Sequence, residues 1–373
     1  MKLEIVTRNH DRPFGLPRYS QSLRKCLEDA GVDFRIAVPS PPGLARPLAS
    51  LMKAVGADLD TFLTSFPLSI SLAEDSVKHF TEETLATLLR FSNFERTIVT
   101  VHDISPDWLV DRSVLGSYRY PIYRLFHRLS LAGLREADLI ITDTQHIKEQ
   151  LVAAIGYDER RIVVIPLGVA HDLFRPQSAP PAALNALGLD GDRPYILHVG
   201  TDAPRKNVPG VIKAFAQVNR RMPNLLLVKV GKPAWMTEHQ KVQDLIRELD
   251  LESSFVAIGH VSDEDLAVLY NGATLLVYPS FYEGFGLPVL EAMACGTPVI
   301  TSNTSCLPEV AGNAAITVDP YDVEALAGAM HRVLADADLQ QDLRRRGLER
   351  AAGFTWERTA QETVQVYREV QKS

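Results

Sequence analysis

The stretch Leu275-Leu-Val-Tyr278-Pro279-Ser-Phe-Tyr-Glu283-Gly284-Phe285-Gly286-Leu287-Pro288-Val-Leu-Glu291-Ala-Met-Ala-Cys295-Gly296-Thr-Pro298-Val-Ile300 joins two apolar runs through a glycine-bearing turn and a helical period. A strand ending near Tyr278 hands the chain to the turn. Pro288 falls where the first helical position is expected, because proline has no amide hydrogen to lose there. The helix therefore begins at a loop open to a ligand. Its free amides and dipole favour a phosphate, and Gly284 and Gly286 let that phosphate approach the backbone. Strand, turn, helix and strand in this order belong to a parallel sheet covered by helices.

The same alternation extends in both directions. Upstream, Leu3 to Thr7, Phe34 to Val38, Thr97 to Val101, Leu139 to Thr142 and Ile162 to Ile165 read as strands, and a helix from about Arg18 to Ala30 stops at Gly31. Pro176, Pro180 and Pro181 mark Pro166 to Pro194 as a linker. Strands then restart at Tyr195 to Val199, Leu225 to Val230, Phe255 to Ile258, Leu275 to Tyr278 and Pro298 to Ile300. Val211, Phe215 and Val218 place a helix after the first of them. Trp356, Ala360, Val364 and Tyr367 repeat at helical spacing after Gly353 and form a separate closing helix. Two similar α/β halves are the simplest architecture.

A chain of 373 residues exceeds what one core accommodates, which agrees with two domains. The net charge of −7 gives no global attraction to nucleic acid or anionic lipid, so any basic site is local. No run approaches the ~20 apolar residues of a membrane span, and Met1 to Thr7 enters a strand instead of a signal-peptide pattern, so a cytoplasmic protein is expected. Cys26, Cys295 and Cys306 have neither paired nor metal-ligand spacing. Asp58-Leu-Asp60 and Asp336-Ala-Asp338 lie beside no anion loop and read as surface charges. No metal site is expected.

Glu283 and Glu291 bracket the glycine turn. Two carboxylates beside one anion site suit the hydroxyls of a sugar nucleotide, although each also has a bland reading, Glu291 as a helix-terminus charge and Glu283 as a solvated one. Val199-Gly200-Thr201-Asp202-Ala203-Pro204-Arg205-Lys206-Asn207 follows another strand end, where ligands bind in open parallel sheets. Arg205 and Lys206 can neutralise a diphosphate there, the task a metal would otherwise perform. In the first half, His102 closes an apolar strand and suits either a bond to a reacting sugar or proton transfer, with a structural role the alternative. Gly15 lies in the first strand-to-helix turn, where a ligand approach and a tight turn explain it equally. The first turn lacks G-x-G-x-x-G, which sets a dinucleotide-dependent dehydrogenase aside.

Taken together these words resemble the retaining glycosyltransferases of family 4, most closely their bacterial mannosyltransferase-type subgroup. The matching words are Val101-His102-Asp103, Ala137-Asp138-Leu-Ile-Ile-Thr142, Ile165-Pro166-Leu-Gly168-Val169, Gly200 through Asn207, Gly259-His260-Val-Ser-Asp-Glu264, Glu283 through Glu291, and Leu307-Pro308-Glu309-Val-Ala-Gly312. The resemblance spans nearly the whole chain and implies a GT-B fold, two Rossmann-like domains facing across a cleft. Residues 1–175 would form the acceptor-side domain and 176–354 the nucleotide-sugar donor domain, with a C-terminal helix, 355–373, crossing back to the first.

By matched motif, Arg205 and Lys206 would hold the diphosphate, Glu291 the ribose, Glu283 the donor sugar, and the amides of Phe285, Gly286 and Leu287 the sugar and phosphate. Backbone near His260 and Val261 would face the base, His102 the donor sugar, and Gly15 the phosphates. Many relatives carry arginine where Thr201 stands, so neutralisation here leans on Arg205 and Lys206. The expected reaction is retaining and metal-independent, with no cofactor beyond the donor. It passes a hexosyl group, by best estimate mannose from GDP-mannose, to a glycan or lipid-linked acceptor in surface polysaccharide or glycoconjugate synthesis.

Two other functions stay open: a UDP-sugar enzyme of glucose type acting on a small molecule, and a non-catalytic sugar-nucleotide-binding subunit. Tyr118 to Arg135 mixes aromatic and basic residues. It reads either as a weak, salt-sensitive contact with the membrane face or as a helix packed in its domain with snorkelling arginines.

Overall fold

The computed structural model describes residues 2–8, 16–39, 67, 69–104, 121–233 and 236–372. They fall into two compact units: the first runs to Gly168 and takes back the last helix, Trp356–Lys372, and the second runs from Val169 to Thr355.

The first unit is built on a parallel sheet in the order β2-β1-β3-β4-β5-β6. Its strands are β1 (Leu3–Val6), β2 (Arg35–Ala37), β3 (Val77–Phe80), β4 (Thr97–Val101), β5 (Leu139–Thr142) and β6 (Ile162–Val164). Every residue of β1, β3, β4 and β5 is buried, as a sheet covered on both faces requires. Helix Leu16–Asp29 follows β1, and Gly31 ends the turn behind it in the left-handed region at φ 66°.

The closing helix belongs to this unit through polar contacts as well as apolar ones. Tyr367 hydroxyl bonds His79 Nδ1 at 2.7 Å, His79 Nε2 bonds Thr100 Oγ1 at 2.7 Å, and Thr359 Oγ1 donates to the Pro166 carbonyl at 2.7 Å. Burial pushes His79 down to about 3, so its ring is neutral and suited to a dry interior. Helix Pro121–Leu134 buries Leu131 and Leu134 and leaves Leu125 exposed. Gly133 in its last turn touches backbone directly, since a Cβ there would lie 1.9 Å from the Ala86 carbonyl oxygen.

The second unit repeats the plan with β7 (Tyr195–Val199), β8 (Leu226–Val230), β9 (Phe255–Ile258), β10 (Leu275–Tyr278), β11 (Val299–Ser302) and β12 (Ile316–Val318). Its parallel order, β12-β11-β10-β7-β8-β9, reverses direction between β7 and β10. That switch point is where open α/β sheets hold ligands. Helix Val208–Asn219 buries Val211, Phe215 and Val218 against the sheet.

The Pro166 to Pro194 stretch, read above as a linker, is packed from Val169 onward. The Val169 amide donates to the Phe354 carbonyl at 3.2 Å, Phe174 meets Tyr270 edge-on at 5.9 Å, and Leu184 and Leu189 are buried. Its prolines shape a folded surface, including helix Pro181–Ala186, whose first residue needs no amide bond. Among the described residues no helix is long and apolar enough to cross a membrane.

Candidate functional site

Two loops meet at the switch point of the second sheet. After β7 the Gly200 amide donates to the Val230 carbonyl at 2.8 Å, and the chain turns through Pro204–Lys206 into helix Val208–Asn219. Asn207 makes this turn in the left-handed region at φ 56°. Its buried amide donates to the carbonyls of Pro279 (3.2 Å) and Pro320 (2.7 Å), tying the loop to the ends of β10 and β12. After β10 the Phe281 amide donates to the Arg205 carbonyl at 2.8 Å, so the two loops are joined by backbone.

Gly286, at φ 102°, then starts helix Leu287–Cys295, a conformation that glycine takes without strain. Pro288 is the second helical position, one later than expected. From the loop after β11, Ser305 Oγ accepts from the Glu283 amide and donates to the Glu283 carbonyl (3.1 and 2.6 Å), while Cys306 Sγ donates to the same carbonyl at 3.1 Å.

Glu283 is the electrostatic centre. It is buried, with Oε2 2.8 Å from Arg205 Nη1, and Oε1 accepting from Lys206 Nζ at 2.7 Å and from the Tyr278 hydroxyl at 2.9 Å. Burial alone would raise its pKa, but Arg205 and Lys206 overcome that and hold it down at about 2. Burial pushes the Lys206 ammonium down to about 8, against the pull of Glu283. Two cations around one carboxylate leave a net positive charge beside a helix N-terminus, an arrangement that can receive a polyanion.

Arg205, Lys206 and Glu283 are thus in direct contact, with Gly200, Gly284, Phe285, Gly286 and Leu287 in the same two loops. Thr201 is exposed, and its hydroxyl accepts from the Ala203 amide at 3.4 Å. His260 and Val261 follow β9, two strands from β7. Glu291 is not a first-turn charge: it sits on the helix's second turn, 2% exposed, accepting from the Tyr270 hydroxyl at 2.9 Å. Glu283 is likewise not solvated.

His102 lies on the first unit. Its Nδ1 donates to Asp143 Oδ2 at 2.6 Å and its Nε2 to the Thr81 carbonyl at 3.0 Å. Burial opposes the charged ring, but the Asp143 carboxylate outweighs it and pushes His102 up to about 9. A ring donating from both nitrogens has no lone pair for a proton. Held so, the ring can give a proton but not take one. Gly15 and Asp58 to Asp60 lie outside the described residues. Asp336 caps helix Ala337–Ala351 through the Leu339 amide at 2.9 Å. Among the described residues no group of three or more His, Cys, Asp or Glu is placed to hold a metal ion.

Four supporting residues escaped sequence reasoning: Tyr278, Asn207, Ser305 and Gly231. Gly231 alone carried a signal, a glycine directly after a strand. A Cβ on it would lie 2.4 Å from the Gly200 carbonyl oxygen.

Two doubly wound α/β units, one with Arg205, Lys206 and Glu283 in contact at its switch point, fit the GT-B fold, and comparisons with known proteins show a glycosyltransferase. Residues 15–173 match the model described as Glycosyltransferase Family 4, and residues 181–350 match Glycosyl transferases group 1. O-antigen chain mannosyltransferase B of Escherichia coli is 34% identical over 281 residues, 74% of this chain and 70% of that protein. The serotype-specific mannosyltransferase WbdA of Escherichia coli is 30% identical over 71% of this chain, which spans only 32% of it. The structure of Anabaena HepE in complex with UDP and glucose superimposes with a TM-score of 0.73 at 17% identity, covering 99% of this chain and 100% of that one. The chain belongs to glycosyltransferase family 4, and these two relatives carry mannosyltransferase names.

Proposed function

We propose that this enzyme transfers a mannosyl group from GDP-mannose, with retention and without a metal ion, to a glycan or lipid-linked acceptor in surface polysaccharide synthesis. The observation that carries the donor half is the contact of Arg205, Lys206 and Glu283 between two loops at the switch point. Arg205 and Lys206 neutralise the diphosphate and the charge that grows on it as the glycosidic bond breaks. The amides of Phe285 to Leu287 and the helix dipole act on the same charge. Glu283, ionised at any working pH, accepts hydroxyls of the donor sugar, and Glu291 accepts those of the ribose, exchanging Tyr270 or sharing with it. Backbone at His260 and Val261 takes the base.

The departing phosphate accepts the proton of the acceptor hydroxyl on the face it leaves, so no protein base or nucleophile is required. His102, with both nitrogens donating, orients and does not deprotonate. The mannosyltransferase names of the relatives support the sugar, and the acceptor named for O-antigen chain mannosyltransferase B supports a glycan. The bound UDP and glucose of the structural neighbour keep a UDP-sugar enzyme as the second reading. Leu125 and Arg128, exposed on helix Pro121–Leu134, are the described part of a weak peripheral contact with a membrane carrying the acceptor.

A thermal-shift and turnover panel tests this. GDP and GDP-mannose are expected to raise the melting temperature more than UDP and UDP-glucose, since a ligand of the native state alone stabilises it. Hydrolysis or transfer of the donor is expected to persist in EDTA. Complete loss in EDTA with recovery in magnesium or manganese contradicts the metal-independent reading, and stabilisation by the UDP pair alone selects the second one.

A further inference from the structure

The second unit buries another charged group against the anion loop, away from Glu283. Lys229 lies on β8 as the register partner of His198 on β7, and is 4% exposed. Its ammonium stands 2.6 Å from Asp202 Oδ1 and donates to the Gly231 carbonyl at 3.2 Å. The other oxygen of Asp202 accepts from His239 Nδ1 at 2.9 Å. Asp202 precedes Arg205 by three residues, Gly231 begins the turn after β8, and His239 lies on the next helix, Met236–Glu248. Three segments of chain therefore converge on one carboxylate.

The two turns they hold are in backbone contact. Gly200 donates to the Val230 carbonyl, Gly231 has φ 130°, and its missing Cβ would meet the Gly200 carbonyl. His198, the register partner of Lys229, donates from Nδ1 to the Val277 carbonyl at 2.9 Å, and its ring stacks on Tyr278, over which Lys206 also lies. Burial, reinforced by Lys229 and Lys206, pushes it down to about 4, so the ring is neutral beside the two ammonium groups. Polar neighbours thus run stepwise from Glu283 through Tyr278, His198 and Lys229 to Asp202 and His239.

A buried lysine–aspartate pair is a poor way to gain stability, because desolvation offsets its attraction and apolar side chains of similar volume do as well or better. What apolar side chains cannot do is fix direction, and an ion pair with further hydrogen bonds does. We propose that Asp202, Lys229 and His239 are positioning residues for the nucleoside diphosphate. They clamp the Gly200 turn on the Gly231 turn so that Arg205 and Lys206 face the phosphates. The inference rests on the reading that this loop binds the diphosphate of the donor.

Calorimetric titration of the full chain with GDP, UDP and the corresponding nucleosides separates positioning from stability. The double variant Asp202→Leu/Lys229→Met replaces the pair with apolar side chains and is expected to melt near the wild type. It is nevertheless expected to bind the preferred nucleoside diphosphate at least about tenfold more weakly, with nucleoside affinity unchanged. His239→Ala, at a half-buried position, is expected to show the same selective loss in smaller measure, and His239→Gln, which keeps a donor for Asp202, to restore it. Diphosphate affinity within twofold of wild type in both the double variant and His239→Ala overturns the proposal, as does a parallel loss of nucleoside and nucleoside diphosphate. A wild-type chain that binds neither GDP nor UDP overturns the reading of the loop itself.

Discussion

Lys206→Ala and Arg205→Ala are each expected to lower turnover of the donor by roughly 10²-fold or more, the loss that follows removal of one preorganised transition-state donor. The two cations face charge that increases as the sugar leaves, so their loss is expected in kcat as well as in KM. Lys206→Ala also strands the buried Glu283 carboxylate with Arg205 and the Tyr278 hydroxyl, at a stability cost of about 3 kcal/mol for a broken buried pair.

Lys206→Met, tested beside Ala, keeps the packing, and a shared rate loss then belongs to the charge. Because burial places the Lys206 ammonium at about 8, it is charged below that pH and neutral above it. Nucleoside diphosphate affinity is therefore expected to fall as pH rises through about 8, and Lys206→Arg to remove that alkaline limb. Near-normal turnover in both alanine variants takes these residues out of the mechanism.

Glu283→Ala and Glu291→Ala are expected to separate. Glu283 neutralises the cations in the ligand-free protein, so its removal frees Arg205 and Lys206 for phosphate. Affinity for free nucleoside diphosphate should hold or improve, while turnover of the sugar-bearing donor falls by about 10²-fold. Glu291 accepts from Tyr270 on the neighbouring helix Asp263–Gly272 and is assigned to ribose. Its loss should weaken nucleoside, nucleoside diphosphate and donor alike, by roughly tenfold for hydrogen bonds to a charged acceptor. Calorimetry on the two variants decides it: equal binding of nucleoside diphosphate by both contradicts the ribose assignment.

Much of the fold was legible because its strands are short apolar runs bounded by turn residues. Ten of the twelve strands among the described residues follow from that pattern. The two that escaped it, β3 and β12, break it for physical reasons. β3 carries Lys78 and His79 in a fully buried strand. Lys78 Nζ is satisfied by the Glu74, Ser76 and Glu95 carbonyls, and His79 by Thr100 and by Tyr367, 288 residues away. No local window shows the Glu95, Thr100 and Tyr367 partners. β12 is a three-residue edge strand with Thr317 facing out.

At the site, the residue types and the helix that follows Gly286 were readable, because proline and glycine mark a helix start. The closure of Glu283 upon Arg205 and Lys206 was not, since it depends on two loops 78 positions apart being joined by the Phe281 amide. The role of Asn207 depends in the same way on carbonyls of Pro279 and Pro320.

The most direct measurement is the anomeric configuration of the product formed from GDP-mannose and a mannose-terminated oligosaccharide, read by NMR, with EDTA present throughout. The α-linked donor is expected to yield an α-linked mannosyl product with release of GDP. A β-linked product, or transfer that begins only when a divalent metal is restored, would contradict the account of a retaining, metal-independent transfer driven by Arg205 and Lys206.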